Sequence, residues 1–322
     1  MTVLVTGATG FLGGAVLRHL ASTGQPATGL GRDVARIDAI RAQGLDLRAH
    51  DLTRPLDPAD FSGISAIVHG AALSAPFGPR LDFIAANVTA TRNIVALAQA
   101  LRVARLVHIS SASVSFAPMD QLDLREDAPL PRPFNAYAAT KAQAEKIVLD
   151  APALGPIVLR PRGIYGAGDT ALLPRLLRAA GRGPLPLLRD GRARIDLTHV
   201  DDVVAAVMAA LRAGPDATGQ IFNITGGEVI PVTQIARRAC AAANQPLRWR
   251  KMPLRPAMAI AGAVEMTCML LPHRPEPAIT RYGLALFAYA QSLDITKARD
   301  LLDWSPLVPF EVGLQRTFQV AS

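Results

Sequence analysis

Short apolar runs alternate with longer helical patterns along the first part of the chain. Runs bounded by glycine, proline or polar residues predict buried strands, here at 3–5, 26–31, 45–49, 64–69, 105–109 and 220–224. Helical spacing of apolar positions lies between them, at 11–20, from about 34, at 82–101 and at 137–149. This alternation indicates an α/β protein with a doubly wound parallel sheet. Such sheets bind ligands at the carboxyl ends of their strands.

Three glycines follow the first predicted strand. Gly7 permits a tight turn, Gly10 lets the backbone come close to a pyrophosphate, and Gly13 lets the next helix pack on the strand. The N–H groups and the positive end of that helix would then face the anion. The first two glycines are one residue further apart than in the common dinucleotide fingerprint. An ordinary strand-to-helix turn is the alternative interpretation.

The second half of the chain predicts a smaller, mostly helical C-terminal lobe that binds the substrate. A helix is expected at 169–181, a strand at 194–198 and a helix at 200–211. Because the strand at 220–224 would return to the sheet, the chain is expected to leave the cofactor domain and re-enter it. The predicted division assigns 1–165 plus about 194–225 to the dinucleotide-binding domain, and about 166–193 plus 226–322 to the lobe.

Composition narrows the classes of partner. Half of the chain is hydrophobic, which is enough for a sizeable core. The formal net charge is +8, but the arginines are scattered, so no nucleic-acid partner is expected. The chain opens on the glycine motif instead of a signal peptide, which favours a cytoplasmic location. Cys240 and Cys268 have no metal-ligand spacing and are too few for a disulfide framework, so no metal is predicted.

The end of the second strand bears on the choice of cofactor. Gly31 and Arg32 leave room and positive charge for a 2′-phosphate, which favours NADP(H) over NAD(H). Asp33 argues for NAD if it accepts the ribose hydroxyls; alternatively it caps the following helix. Small or polar residues that follow the third and fourth strands are further cofactor candidates: Asp51, Leu52, Ala71 and Ala72. Asp51 is also typical of a turn.

A tyrosine and a lysine begin a predicted helix four residues apart. At this spacing Tyr137 and Lys141 project from one helix face. A nearby ammonium favours the phenolate, which can exchange a proton with a substrate oxygen while hydride moves to or from a nicotinamide. A serine hydroxyl would orient that oxygen. Ser111, at the end of the fifth strand, is the first choice, and Ser110 and Ser113 are its rivals.

Several motifs occur in the order seen in the extended short-chain dehydrogenase/reductase family, which the chain resembles. They are Thr6–Gly13, Asp51-Leu52, Ala71-Ala72, Asn87–Thr91, Ser110-Ser111, Tyr137 with Lys141, and Arg160–Gly166. The resemblance implies a Rossmann-type fold and transfers the family's catalytic residues to Ser111, Tyr137 and Lys141. It also implies dinucleotide contacts from Tyr137 and Lys141 and from Gly7, Thr9, Gly10, Phe11, Leu12, Gly13, Asn87, Pro161, Gly163 and Ile164. A homodimer through the helices that carry Asn87 and Tyr137 is a further implication.

Two branches of this family differ before the stretch His199–Asp202. Nucleotide-sugar epimerases and dehydratases usually carry Arg-Asp there, and the arginine meets the diphosphate. Here Ile195-Asp196 occupies that place, so the clamp is missing or displaced to Arg192 or Arg194. The segments 169–177, 195–200, 277–282 and 292–298 look more like the 3β-hydroxysteroid dehydrogenase branch and its bacterial relatives that reduce 2-alkyl-3-keto acids.

Residues 258–271 are almost uninterruptedly apolar. The stretch is shorter than the roughly 20 residues that a bilayer span needs, so no transmembrane segment is predicted. A wall of a hydrophobic substrate pocket, an interfacial membrane helix and plain packing are the three interpretations.

Three functions are consistent with these patterns. The first is an NAD(P)-dependent oxidoreductase that interconverts a secondary alcohol and a ketone on a hydrophobic small molecule, a sterol or a long-chain 3-oxo or 3-hydroxy acid. The second is a nucleotide-sugar epimerase or dehydratase with tightly bound NAD. The third is a non-catalytic NADP-binding sensor, because a fold does not fix a function.

Overall fold

A seven-stranded parallel sheet forms the centre of the protein in the computed structural model, which describes residues 1–319. Its strands are β1 (Thr2–Thr6), β2 (Ala27–Gly31), β3 (Leu47–Ala49), β4 (Ile64–His69), β5 (Arg105–Ile109), β6 (Pro156–Pro161) and β7 (Gln220–Ile224). They lie in the order β7-β6-β5-β4-β1-β2-β3, and every neighbouring pair is parallel. The predicted Rossmann-type, doubly wound fold is confirmed.

Helices connect the strands and build most of the lobe. They are α1 (Phe11–Ser22), α2 (Val34–Arg41), α3 (80–101), α4 (Ala136–Leu149), α5 (Leu172–Arg182), α6 (Val200–Arg212), α7 (Val232–Ala242), α8 (Leu254–Leu270), α9 (Arg281–Ala288), α10 (Thr296–Leu302) and α11 (Phe310–Gln319). A π-helical turn, Ile84–Thr89, interrupts α3 between the α-helical segments Arg80–Phe83 and Ala90–Leu101. Short 3-10 turns occur at Pro58–Phe61, Ala112–Ser115, Pro152–Leu154, Arg189–Gly191 and Pro215–Ala217.

The sheet buries both of its faces, because successive residues of an apolar strand point to opposite sides. Val3 packs with α1 and α6 on one face, and Leu4 packs with α3 and α4 on the other. The first core also contains Ala298 and Leu302 of α10. The C-terminal part of the chain therefore returns to the sheet, and the predicted division into domains stays a prediction.

Short strands on the lobe side form three smaller sheets. One contains Gln121–Leu124, Arg194–Ile195, Ile230–Pro231 and Gln291–Leu293; the others pair Ile164–Tyr165 with Thr198–His199, and Leu185–Leu187 with Trp249–Lys251. The single strand predicted at 194–198 is wrong, since it is two strands in different sheets. The chain breaks at Asp196 because its buried carboxylate turns inward, where it accepts a hydrogen bond from the Leu293 N–H at 3.0 Å.

The apolar stretch at 258–271 lies mainly in α8, which exposes most of its large side chains. Ala257 and Ala261 are buried, whereas Ile260 is 61% and Leu270 81% exposed. Packing therefore accounts for the small residues and for partly buried Met258, but not for the exposed large side chains. Among residues 1–319, no helix is both long and apolar enough to cross a membrane.

Candidate active site

Contacts between backbone atoms shape the loop from β1 to α1. Gly7 has φ +73°, and the Gly10 N–H donates to its carbonyl at 2.9 Å. A Cβ on Gly13 would lie 2.3 Å from the same carbonyl oxygen, so only glycine allows this approach. Gly10 begins α1 without a side-chain cap, which leaves the first N–H groups of the helix directed at an incoming group. The loop thus fits a pyrophosphate.

The ends of β2 and β3 lie side by side. Asp33 caps α2, accepting from the Arg36 N–H at 3.1 Å, and its carboxylate is 3.3 Å from Arg36 Nε. Of the two interpretations of Asp33, the helix cap is therefore the one observed. Asp51 accepts from the Thr53 N–H, which holds the pKa of its carboxyl below the ordinary value, and exposed Arg32 adds to this effect. Arg32 and Asp51 thus share one strand-end surface.

The other residues predicted to contact the cofactor surround this loop. The Thr9 side chain occupies the space beside Gly31, and Phe11 lies against Gly168. Leu12 packs against the core and Leu52 is buried beneath its turn, so both offer apolar contacts. The Ala71 N–H donates to Thr6 at 3.1 Å, and Ala72 is exposed just beyond.

The Tyr137 hydroxyl meets two serines. Asn135 caps α4 by accepting from the Ala138 N–H at 2.8 Å, which places Tyr137 in the first turn. Burial raises the pKa of Tyr137, and the nearby hydroxyl groups of Ser74 and Ser111 oppose the rise. Ser74, which the sequence analysis missed, follows the small residues at the end of β4. A hydroxyl side chain two residues beyond Ala72 is the sequence feature that could have identified Ser74 as a site residue.

The three candidate serines have different surroundings. The Ser110 hydroxyl donates to Glu145 at 2.5 Å inside the protein. Ser113 is buried, and its hydroxyl has no hydrogen-bond partner within residues 1–319. Ser111 is partly exposed and accepts from the Ser113 N–H at 3.2 Å. Only Ser111, of these three, shares a site with Tyr137.

Lys141 lies under the site and points towards β5. Its ammonium donates to the Ile109 carbonyl at 2.6 Å and to His108 Nε2 at 3.2 Å. Burial lowers the pKa of Lys141 to about 8, and the Glu145 carboxylate opposes this change. This geometry differs from the expectation that the ammonium lowers the pKa of Tyr137. The ammonium faces β5 instead, and burial dominates at Tyr137.

Two buried histidines, His69 of β4 and His108 of β5, lie near Lys141. The rings of His69 and His108 are 5.2 Å apart. His69 Nε2 lies 3.0 Å from Thr91, whose hydroxyl already donates to a backbone carbonyl, so Nε2 donates. Its Nδ1 therefore accepts from Thr6 at 2.8 Å. Burial lowers the pKa of His69 to about 3 and that of His108 well below its ordinary value, so both rings are neutral.

Asn87 connects the end of β4 to α4. The π-helical turn directs its side chain inward, where it is 1% exposed. It accepts from the Leu73 N–H at 2.7 Å and donates to the Thr140 hydroxyl at 3.0 Å. Asn87 thus holds the residue before Ser74 against the helix that carries Tyr137. Its predicted contact with a cofactor stays a prediction.

Three aromatic rings form a cluster that reaches Tyr137 through Tyr282. The Phe116 ring lies 5.5 Å from both Phe134 and Tyr282, and Phe134 lies 5.8 Å from Tyr282. Burial raises the pKa of Tyr282 to about 12; Arg162 lowers it and Tyr137 raises it, so Tyr282 lies near both. The branch motif contained Tyr282, but the two phenylalanines were missed because they lie outside any motif.

The segment after β6 borders the same site. Pro161 ends the strand, and Gly163 has φ +51° with Leu197 packed against it. Ile164 begins the short strand that pairs with Thr198. Between them, Arg162 Nε lies 3.0 Å from Asp196, and its Nη1 contacts Gln291.

The fold and the glycine loop are those of a dinucleotide-binding Rossmann protein. Residues 3–225 match the model of the NAD dependent epimerase/dehydratase family. The chain therefore belongs to this family of extended short-chain dehydrogenases/reductases, and it is an enzyme of the dehydrogenase/reductase class.

Named relatives lie in the branch that the sequence motifs indicated. A 2-alkyl-3-oxoalkanoate reductase of Stenotrophomonas maltophilia (strain K279a) is 32% identical over 98% of each chain. A decarboxylating sterol-4-alpha-carboxylate 3-dehydrogenase of Schizosaccharomyces pombe is 35% identical over 72% of this chain and 70% of its own.

Solved structures share the fold at lower identity. The UDP-glucuronic acid 4-epimerase of Bacillus cereus, solved with NAD, superposes with a TM-score of 0.77 at 20% identity, covering 99% of this chain and 98% of that one. At this identity the likeness concerns the fold alone.

Proposed function

We propose that the protein interconverts a secondary alcohol and a ketone on a hydrophobic substrate, with Ser111, Tyr137 and Lys141 as its catalytic residues. The observation that carries the proposal is that Ser111, just after β5, lies near enough to the Tyr137 hydroxyl to influence its pKa. A ketone oxygen at this point would accept from both hydroxyls.

The chemistry divides between the cofactor and the chain. Bound nicotinamide dinucleotide supplies or accepts the hydride. Ser111 orients the substrate oxygen, and Tyr137 gives or takes its proton. Because burial raises the pKa of Tyr137, the phenol keeps its proton, so a positive group has to approach it before it can accept the proton of an alcohol during oxidation. Lys141 is the nearest candidate on its helix face, once it exchanges the Ile109 carbonyl for the nicotinamide ribose.

The cofactor would lie along the carboxyl ends of the strands. The glycine loop would hold its pyrophosphate, and the segment 161–164 would border its nicotinamide. We propose NADP(H) over NAD(H), because Asp33 is used as a helix cap while Arg32 is exposed beside Asp51. The predicted homodimer and cytoplasmic location stay proposals.

The substrate class is drawn from the relatives and from the aromatic rings. The relatives are named for a 2-alkyl-3-oxoalkanoate and a sterol-4-alpha-carboxylate, both of which carry an apolar skeleton. Tyr282 lies near Tyr137 and packs with Phe116 and Phe134 in an aromatic cluster, which suits an apolar substrate. A long-chain 3-oxo acid or a sterol is therefore the proposed substrate.

Cofactor consumption tests this proposal directly. Purified enzyme is given NADPH or NADH with a panel of 3-oxo acids and 3-ketosteroids, and with UDP- and dTDP-sugars in parallel. Steady, substrate-dependent oxidation of NADPH by a member of the first group is the expected result. Conversion of a nucleotide sugar without net cofactor turnover would instead identify an epimerase or dehydratase. Tight cofactor binding with no turnover of any compound would favour a sensor.

A further inference from the structure

One buried arginine beside the proposed site is incompletely paired. Arg162 is 6% exposed, and its Nε lies 3.0 Å from Asp196 Oδ1. The N–H is not directed at that oxygen, so neither atom has a hydrogen bond within residues 1–319. Nη1 donates to Gln291, and Nη2 has no hydrogen bond to the described residues. A guanidinium has five donors, so most of the hydrogen-bonding capacity of Arg162 is unused.

A second buried arginine on the same strand provides the contrast. Arg160 donates to both oxygens of Glu145, from Nε at 2.8 Å and from Nη2 at 2.7 Å. This is a closed bidentate pair, the strongest geometry available to an arginine and a carboxylate. Arg162, two residues later, has an acidic neighbour but lacks this geometry, although a buried charge is costly unless it is well paired.

The sheet register places Arg162 next to the catalytic hydroxyls. Leu159 of β6 is paired with Ile109 of β5, and adjacent strands lie about 4.8 Å apart. Ser111 and Arg162 follow these two paired positions by two and three residues. Tyr282 lies near both Arg162 and Tyr137 and joins them from the lobe side.

We propose that Arg162 binds the carboxylate of a 3-oxo or 3-hydroxy acid whose 3-oxygen lies at Ser111 and Tyr137. In such an acid the carboxylate is attached to the carbon next to the reacting one, so both oxygen groups must be held within one small site. Two N–H groups of a guanidinium match a carboxylate bidentately. The inference rests on the proposed function. It selects those proposed substrates whose carboxylate is attached to the carbon next to the reacting one.

Asp196 is placed so that a substrate carboxylate can replace it as the partner of Arg162. It lies beside Arg162 without a directed hydrogen bond from Nε, so a better-placed carboxylate can compete with it. Burial raises the pKa of Asp196, with Arg162 opposing, so Asp196 accepts a proton more readily than an exposed carboxyl group does. Once protonated, Asp196 does not repel the substrate carboxylate that binds the same guanidinium.

Binding is measured in a Tyr137→Phe background, where no turnover interferes. The ligands are 3-hydroxydodecanoate and its neutral carboxamide, titrated calorimetrically into enzyme saturated with NADP⁺. Arg162→Gln/Asp196→Asn removes both charges together, which avoids leaving one of them buried alone. Arg189→Gln/Asp120→Asn removes another bidentate arginine–carboxylate pair, away from the proposed catalytic residues, and serves as the control.

We expect the Tyr137→Phe protein and the Arg189 control to bind the acid about tenfold to a hundredfold more tightly than the amide, as a charge-assisted pair contributes. The Arg162 variant should bind both equally. The inference would be overturned if the Tyr137→Phe protein bound acid and amide equally, or if the Arg162 variant kept the preference for the acid. Failure of the acid to bind would overturn it as well. Oxidation of 3-hydroxydodecanoate by the enzyme with intact Tyr137, which forms a 3-oxo acid, NADPH and a proton, is assayed separately. Its absence would reject the proposed function, whatever the affinities are.

Discussion

The glycine loop, which is the proposed cofactor side of the site, and the proposed substrate side are built in opposite ways. Residues 7–13 form the loop from one continuous segment, and backbone atoms define its shape. The substrate side takes Ser74, Ser111, Tyr137, Arg162 and Tyr282 from segments far apart in the chain, and their side chains define it. The first region therefore tolerates no added atom, whereas the second depends on particular functional groups. Three substitutions separate these two kinds of dependence, and a fourth tests the buried histidines near Lys141.

Removing one oxygen should have the largest effect on the substrate side. Tyr137→Phe keeps the ring and deletes the proton-transfer group, so kcat should fall about 10²–10⁴-fold. Affinity for the dinucleotide, measured by fluorescence titration, should change little. Tyr289→Phe, at a lobe tyrosine that lies against Arg189, is the matched control. Unchanged turnover in Tyr137→Phe would remove this residue from the catalytic assignment.

Adding one carbon should have the next largest effect, on the loop. Gly13→Ala places a methyl group 2.3 Å from the Gly7 oxygen, so α1 must move away from β1. We expect a loss of stability of about 1–3 kcal/mol, as in other overpacked sites, and at least a tenfold weaker binding of NADPH. Gly214→Ala adds the same carbon where nothing lies within 4 Å and should behave like the unmodified protein. If Gly13→Ala bound NADPH normally, the backbone account of the loop would be wrong.

Arg32 is the exception on the cofactor side, because its role is chemical. Arg32→Ala should weaken NADPH binding about tenfold, the contribution of one charge-assisted contact to a phosphate. NADH binding should be unaffected. Arg36→Ala removes the neighbouring arginine that pairs with Asp33 and controls for a general loss of charge. Equal losses for both cofactors would contradict the assignment of Arg32 to the 2′-phosphate.

The smallest effect concerns the buried histidines below Lys141. Burial depresses the pKa of His108, so the unfolded chain binds a proton below about pH 6.5 that the folded protein excludes. Stability is therefore lost as the pH falls below that value, by about 1.4 kcal/mol per pH unit for each such histidine. His69, with a pKa of about 3, contributes in the same direction. Above pH 6.5 neither histidine contributes a slope.

Urea unfolding at several pH values between 7 and 5 measures this slope. His108→Gln should reduce the slope by about 1.4 kcal/mol per pH unit, because it removes one buried histidine with a depressed pKa. His19→Gln, at an exposed position, is the control. An unchanged slope in His108→Gln would show that His108 is protonated in the folded protein as well.

The fold and the glycine turn between β1 and α1 can be predicted from the sequence alone. Apolar periodicity located β4, β5 and β7 with their observed ends, and the glycine spacing located the strand-to-helix turn. Both signals are local: a strand or a turn depends mainly on the residues within it, so its pattern can be read from consecutive letters. The i, i+4 spacing likewise placed Tyr137 and Lys141 on one helix.

Only the tertiary structure decided which groups surround the reacting atoms. It turned Lys141 towards β5, brought Ser74 to Tyr137, split the strand at Asp196, and left Arg162 less completely paired than Arg160. Each outcome depends on side chains that are distant in sequence and on how many hydrogen bonds remain after packing. Neither the distant contacts nor the remaining hydrogen bonds produce a periodic pattern in the sequence. The identity of the substrate depends on the same long-range contacts. For that reason it is the part of the function that is hardest to predict from the sequence.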